Sequence, residues 1–179
     1  TPTFQLLSRW KTSREIHSLF VEGDLVYVAN AEDGLRILDI SDPTQPVEIG
    51  SISLDYAENV IVLDDIAYVV VQGQLVENII KKSSLVMIDV QNPQNPRPLG
   101  EFELPSSYSH SASNFAVADG VAYLTTGSSL TAVDVSDPAS AETLGEFTFQ
   151  SNISSPGVTV VDGIAFMQAN HLHVVDFSD

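Results

Sequence analysis

Few residues in this chain combine a reactive type with an informative position. Four short apolar stretches begin directly after His17-Ser18, Glu58-Asn59, Ser113-Asn114 and Pro156-Gly157. If those stretches surround a common channel, its mouth carries one imidazole, one carboxylate and two carboxamides. Glutamate and asparagine oxygens suit Ca2+ or another hard cation, so Glu58, Asn59 and Asn114 are candidate metal ligands. Hydrated polar capping of a channel needs no metal, and no cofactor is otherwise expected. A second group is cationic. Lys11, Arg14, Lys81 and Lys82 are four of only seven Lys and Arg residues, and they fall in segments of irregular pattern. Together with His17, Glu58, Asn59, Asn114, Tyr108 and His110 they form a candidate ligand-binding set. His171-x-His173 would place two imidazoles on one side of a strand, because side chains alternate. A third metal ligand is not evident by spacing. A Ser/His/acid set can be written from Ser109, His17 and Glu58, but no G-x-S-x-G elbow accompanies it.

Composition narrows the classes. The net charge is −17. Affinity for nucleic acid rests on neutralising phosphates, so nucleic acid is excluded as a natural partner. Anionic membrane surfaces are disfavoured for the same reason, and no apolar run reaches the roughly 18–20 residues that span a bilayer. With no Cys there is no disulfide, thiol nucleophile or thiolate metal site. Strong acidity suits solubility in an extracellular, cell-surface or periplasmic setting.

The elements that must position these residues are repeats. The segments LVYVA, IAYVV, VAYLT and IAFMQ align Tyr27, Tyr68, Tyr123 and Phe166, with spacings of 41, 55 and 43 residues. A fixed period of this size marks a repeat architecture. Each repeat reads as four short strands with period-two alternation, such as Leu19/Val21, Val60/Val62, Phe115/Val117 and Val158/Val160. Gly23-Asp24, Asp64-Asp65, Asp119-Gly120 and Asp162-Gly163 are two-residue hairpin turns. SDPTQP, QNPQNP and SDPASA are Asx-Pro turns between the third and fourth strands. No sustained 3.6-residue period occurs, and only GQLVENIIKK admits a short helical turn. Asp39, Asp89, Asp134 and Asp176 recur in all four repeats. A residue needed once per repeat is structural, here as an acceptor of backbone N–H bonds at the turn.

These patterns predict an all-β, single-domain chain over 1–179, with repeats at 16–54, 57–104, 112–149 and 155–179 plus 1–10. The fourth repeat lacks its last strand, and an extra strand, TPTFQLLSRW, precedes the first. Gly50, Gly100 and Gly145 lie eight residues beyond Asp42, Asn92 and Asp137, and Ser8 lies eight beyond Asp179 if the ends are joined. The expectation is therefore a four-bladed β-propeller of four-stranded antiparallel blades, closed by the N-terminal strand completing the C-terminal blade. The same register allows that strand to complete a blade in a second chain, as an eight-bladed dimer, or the chain to be a segment of a larger ring.

The stretch Val26 to Ser51, VYVANAEDGLRILDISDPTQPVEIGS, with the L-x-x-[LIV]-D core repeated four times, resembles the LVIVD-repeat family of β-propellers. Ser8 in the glycine column and the expanded second repeat depart from the pattern. The resemblance implies a bacterial surface or secreted protein and says little about activity. On topology the irregular segments 11–17, 71–84, 105–114 and 150–156 share one face, where function usually sits. The leading expectation is a non-enzymatic module binding a protein, peptide or glycan there, as a monomer or dimer. The alternatives are a lactonase-like metal-dependent hydrolase with a cation at the channel mouth, and a structural segment of a larger propeller.

Overall fold

The alternating segments form strands where the pattern places them. The computed structural model describes residues 3–76, 79–104, 114–125, 128–150 and 156–177. The first sheet is β1 (Ser18–Glu22), β2 (Leu25–Ala29), β3 (Leu35–Asp39) and β4 (Val47–Ile52), paired in that order. The second contains β5 (Ala57–Leu63), β6 (Ile66–Val71), β9 (Ser84–Asp89) and β10 (Arg97–Glu103). The third is β11 (Asn114–Ala118), β12 (Val121–Thr125), β13 (Ser129–Asp134) and β14 (Glu142–Thr148). The fourth has three strands: β15 (Val158–Val161), β16 (Ile164–Gln168) and β17 (Leu172–Asp176). All pairings are antiparallel.

Two expectations are corrected. Residues 3–10 form no strand, and among the described residues the fourth sheet has three strands rather than four. Phe4, Leu6 and Leu7 are exposed instead. In place of a helical turn in GQLVENIIKK, β7 (Leu75–Val76) and β8 (Ile79–Ile80) pair as a small antiparallel ribbon. β-Branched residues disfavour a helix and fit an extended pair.

The sheets stack in chain order through one rule. The face bearing the repeated aromatic packs on the Val-rich face of the next sheet. Tyr27, Leu35 and Ile37 meet Val60, Val62 and Val69. Tyr68, Leu85 and Met87 meet Phe115, Leu124 and Val133. Tyr123, Leu130 and Ala132 meet Ala165, Met167 and Val160. The three tyrosines are buried, whereas Phe166, on the face of the fourth sheet that no further sheet covers, is only half-buried. Among the described residues no buried apolar cluster joins the fourth sheet to the first.

The turns follow the expected chemistry. Asp64-Asp65, Asp119-Gly120 and Asp162-Gly163 have positive φ at both residues, as type I′ hairpins require. The repeated aspartates accept the backbone N–H two residues on: Ser41 to Asp39 at 2.8 Å, Gln91 to Asp89 at 3.0 Å and Ser136 to Asp134 at 2.9 Å. Asp42, Asn92 and Asp137 do the same for Thr44, Gln94 and Ala139. These turns also lock neighbouring sheets. A Cβ on Gly50 would lie 1.9 Å from the Pro93 carbonyl oxygen, and one on Gly100 would lie 1.7 Å from that of Pro138. Gly50 and Gly100 therefore each let one sheet seat on the next sheet's turn. Replacing Gly50 or Gly100 with Ala forces these backbones apart. Each variant is expected to lose about 1–3 kcal/mol, read as a lower denaturation midpoint.

The Asx turns also predict a pH dependence. Hydrogen bonds from Ser136 hold the Asp134 carboxyl below the usual carboxylate range, and those from Ser41 do the same for Asp39. A depressed folded-state pKa gives stability that is present above the unfolded value, about 3.9, and lost as pH falls through the folded value. Acidification also relieves repulsion in a chain of net charge −17, so the raw midpoint mixes two effects. The difference between Asp134→Ala and the parent protein isolates one. Its deficit in urea midpoint is expected to be full at pH 7 and to close as pH falls below about 4.

Candidate functional site

The strand order sends the hairpin and Asx turns to one end of the stacked sheets and the irregular segments to the other. The irregular end is built around the starts of the inner strands β1, β5, β11 and β15, of which consecutive members lie side by side. Ser18 and Asn59 open β1 and β5. The Ser18 hydroxyl donates to Asn59 Oδ1 at 2.8 Å, and the Val60 N–H donates to the same oxygen at 2.8 Å. Asn59 thus ties the first sheet to the second. Further out, Ala31 and Ala57 exchange backbone bonds of 3.2 and 2.9 Å between the two sheets. Between the third and fourth sheets, the Thr125 hydroxyl lies 2.6 Å from the Pro156 carbonyl and 2.9 Å from that of Asn114.

Glu58 occupies a β-bulge, where the pairing of β5 with β6 shifts register between Ala57 and Asn59. The bulge turns its carboxylate inward, and its Oε2 is buried with no hydrogen-bond partner among the described residues. Beside it, Tyr56 Oη and His17 Nε2 are 3.0 Å apart, and the rings meet edge to face at 5.2 Å. Burial pushes the Tyr56 phenol above its ordinary value, and the carboxylates of Glu32, Glu15 and Glu58 add to the effect. The mouth between the first two sheets is therefore an acidic patch with an aromatic at its rim.

The cationic residues do not form a free positive surface. Arg14 faces Glu32 at 3.8 Å, Lys81 pairs with Asp55, and Lys82 pairs with Glu103. The two lysine pairs flank a cleft of about 310 Å3 lined by Asp55, Gln72, Gln74, Lys81, Lys82 and Glu103. Such half-exposed pairs contribute little stability, and they present alternating charge to anything entering the cleft. Lys11 is exposed and has no ion pair among the described residues. The segment that carries it is pinned next to the site, since Asn30 Nδ2 donates to Thr12 Oγ1 at 2.7 Å and Ser13 Oγ donates to Asp33 at 3.1 Å.

The structure thus brings His17 close to the Glu58 bulge through Tyr56, and Ser18 to Asn59. It places Lys81 and Lys82 at a neighbouring cleft. Asn114 opens β11 as expected. Tyr108, His110 and Ser109 lie outside the described residues. The two histidines of His171-x-His173 do not share a strand face. His171 precedes β17 and is exposed, while His173 points inward against Phe147 and Phe149 at 6.0 and 5.5 Å. Tyr56, Asp55 and Glu103 were missed. Tyr56 stands directly before the Ala57-Glu58-Asn59 strand start, an aromatic in a connection between repeats, and that position was the available signal.

The LVIVD repeat profile matches residues 13–53 and 110–148, which span the first and third sheets. Two of the four repeats thus match the LVIVD repeat. The second and fourth sheets reproduce the same strand order and the same turns outside the matched segments. Comparison with curated proteins finds no match. Among solved structures, the computationally designed Ika4 protein superposes with TM-score 0.68 at 14% identity, covering 97% of this chain and 99% of that one. The designed Ika8 protein gives 0.65 at 12%, covering 89% of this chain and 45% of that one. A structural-genomics protein of unknown function from Bacteroides thetaiotaomicron VPI-5482 gives 0.60 at 11%, covering 92% and 42%. This chain therefore spans nearly all of the first and less than half of the other two. Identities this low speak to the fold alone.

The Ser18–Asn59 bond is a testable strut of the site. Ser18→Ala and Asn59→Ala are each expected to destabilise the protein. Their double-mutant cycle should show a coupling of about 0.5–1.5 kcal/mol, the size of one net hydrogen bond.

Proposed function

We propose that this protein is a non-enzymatic recognition module that takes a protein, peptide or glycan on its irregular end. One observation carries the reading. Asp55, Lys81, Lys82 and Glu103 line a cleft at that end, with the Tyr56–His17 pair next to Asp55, while the opposite end consists of repeated turns. Donors and acceptors side by side, with an aromatic rim, suit hydroxyl-rich or peptide ligands better than a single charged group. Acidity supports a setting outside the cytoplasm: extracellular, cell-surface or periplasmic.

The test is a screen of a peptide display library and an immobilised polysaccharide array, followed by affinity measurement on variants. Tyr56→Ala and Lys81→Ala are expected to weaken a selected ligand at least about tenfold, or 1.4 kcal/mol. Asp162→Asn, in a turn at the other end, should leave the affinity unchanged. Equal binding by all three variants contradicts the proposal.

The unpartnered Oε2 of Glu58 favours a second reading, a hard cation at the channel mouth serving a hydrolase. Against it, Asn59 Oδ1 already accepts two hydrogen bonds. Calorimetric titration with Ca2+ separates the readings. The recognition module predicts no site that depends on Glu58. A site at or below about 10⁻³ M, the weak end of protein calcium sites, that disappears in Glu58→Gln would support the second.

A further inference from the structure

A cleft of about 520 Å3 opens between the second and third sheets at their hairpin turns. It lies at the end opposite the irregular segments, apart from the recognition surface proposed above. Leu63 and Ile66 of the second sheet and Val117 and Val135 of the third form its apolar walls. One column of the repeat explains why the cleft is open. Val135 directly follows the repeated Asp134, as Phe177 directly follows Asp176. Between the third and fourth sheets the Phe177 ring meets Tyr123 edge to face at 5.4 Å, and the space left beside them is about 280 Å3. Between the second and third sheets only the isopropyl group of Val135 stands in that position, in the same core as Tyr68. The Val135 N–H donates to the Gly120 carbonyl at 2.8 Å, which fixes this wall to the turn.

Three polar groups in the cleft are unused. Tyr68 is 5% exposed and lines the cleft, and its hydroxyl makes no hydrogen bond among the described residues. Burial pushes the Tyr68 phenol above its ordinary value, and the Asp64 carboxylate adds to the effect. Asp64 stands on one rim and Asp119 on the other, each at positive φ in its turn. Both are exposed, and neither forms an ion pair or a side-chain hydrogen bond among the described residues. The cleft is thus apolar on its walls, negative at its rim and provided with a free hydroxyl below.

We propose that this cleft is a second binding site, and that its ligand is a small amphipathic amine: an apolar body carrying one ammonium group. Charge decides the class. An anion would meet Asp64, Asp119 and a chain of net charge −17, and the described lining has no Lys or Arg. A bare hard cation takes about six to eight oxygen ligands, more than two carboxylates on separate turns supply, and it leaves the apolar walls uncovered. An ammonium group has three donors, matching in number the two carboxylates and the phenol oxygen. Its alkyl or aryl body covers Leu63, Val117 and Val135. Apolar walls with a few placed polar groups are the usual form of a small-molecule site.

Amide NMR of the 179-residue protein titrated with phenethylamine tests the proposal. The amides of Asp64 to Ile66, Val117 to Gly120 and Val135 should shift in a saturable way, with a dissociation constant at or below about 10⁻³ M. Phenylacetate has the same ring and the opposite charge, and it should bind at least about tenfold more weakly. Combining Asp64→Asn with Asp119→Asn should weaken phenethylamine at least about tenfold, whereas Asp162→Asn, the same change in the fourth sheet's turn, and Tyr56→Ala, at the irregular end, should not. Val135→Phe places in the cleft the ring that its column holds at Phe177, and should remove the shifts with a dispersed spectrum retained. The double Asn variant decides the matter should Val135→Phe not fold. No saturable shift at these amides overturns the proposal. Equal binding of phenylacetate, or unchanged affinity in the double Asn variant, also overturns it.

Discussion

Every sheet in this protein has two apolar faces, and a sheet of three or four short strands cannot bury both by itself. The aromatic-on-valine contact between consecutive sheets answers that constraint, and the rest of the structure depends on it. It sets the stacking order, brings the inner strands side by side and places the Asx turn of one sheet against the glycine of the last. The contact has direction, since each sheet gives an aromatic face forward and receives on its Val-rich face.

Much of this was legible because the repeat states each rule several times. Tyr27, Tyr68 and Tyr123 are buried between sheets as their spacing implied. Asp39, Asp89 and Asp134 cap turns, as residues recurring once per repeat should. The fate of residues 3–10 was not legible. The register across Asp179 and Thr1 says which column the segment belongs to. Whether the segment pairs as a strand is not written in that column, and only the structure shows residues 3–10 unpaired as a strand beside the first sheet's turn at Pro43. The ribbon of Leu75–Val76 with Ile79–Ile80 was obscure for a different reason. It has no counterpart in the other repeats, and a short apolar run fits helix or strand alike.

The candidate site was half legible. Polar residues at the strand starts could be read off directly, and so could the face they share. Their pairing could not. Lys81 and Lys82 looked like a positive feature, yet Asp55, just before β5, and Glu103, at the end of β10, neutralise them. Asn59 looked like a ligand, but its oxygen is occupied in joining two sheets. Both outcomes have one cause: the first demand on a polar group is to satisfy its neighbours. The groups left over are the Tyr56–His17 pair, the inward carboxylate of Glu58 and the cleft between the lysine pairs, and recognition would draw on these.

The central claim is that the contact between a tyrosine face and the Val-rich face of the next sheet holds the array together. Urea unfolding of Tyr68→Ala, which truncates a ring buried between the second and third sheets, tests it most directly. The account predicts a loss of about 3–5 kcal/mol, well beyond that of Phe166→Ala in the fourth sheet. Equal losses in the two variants would contradict it.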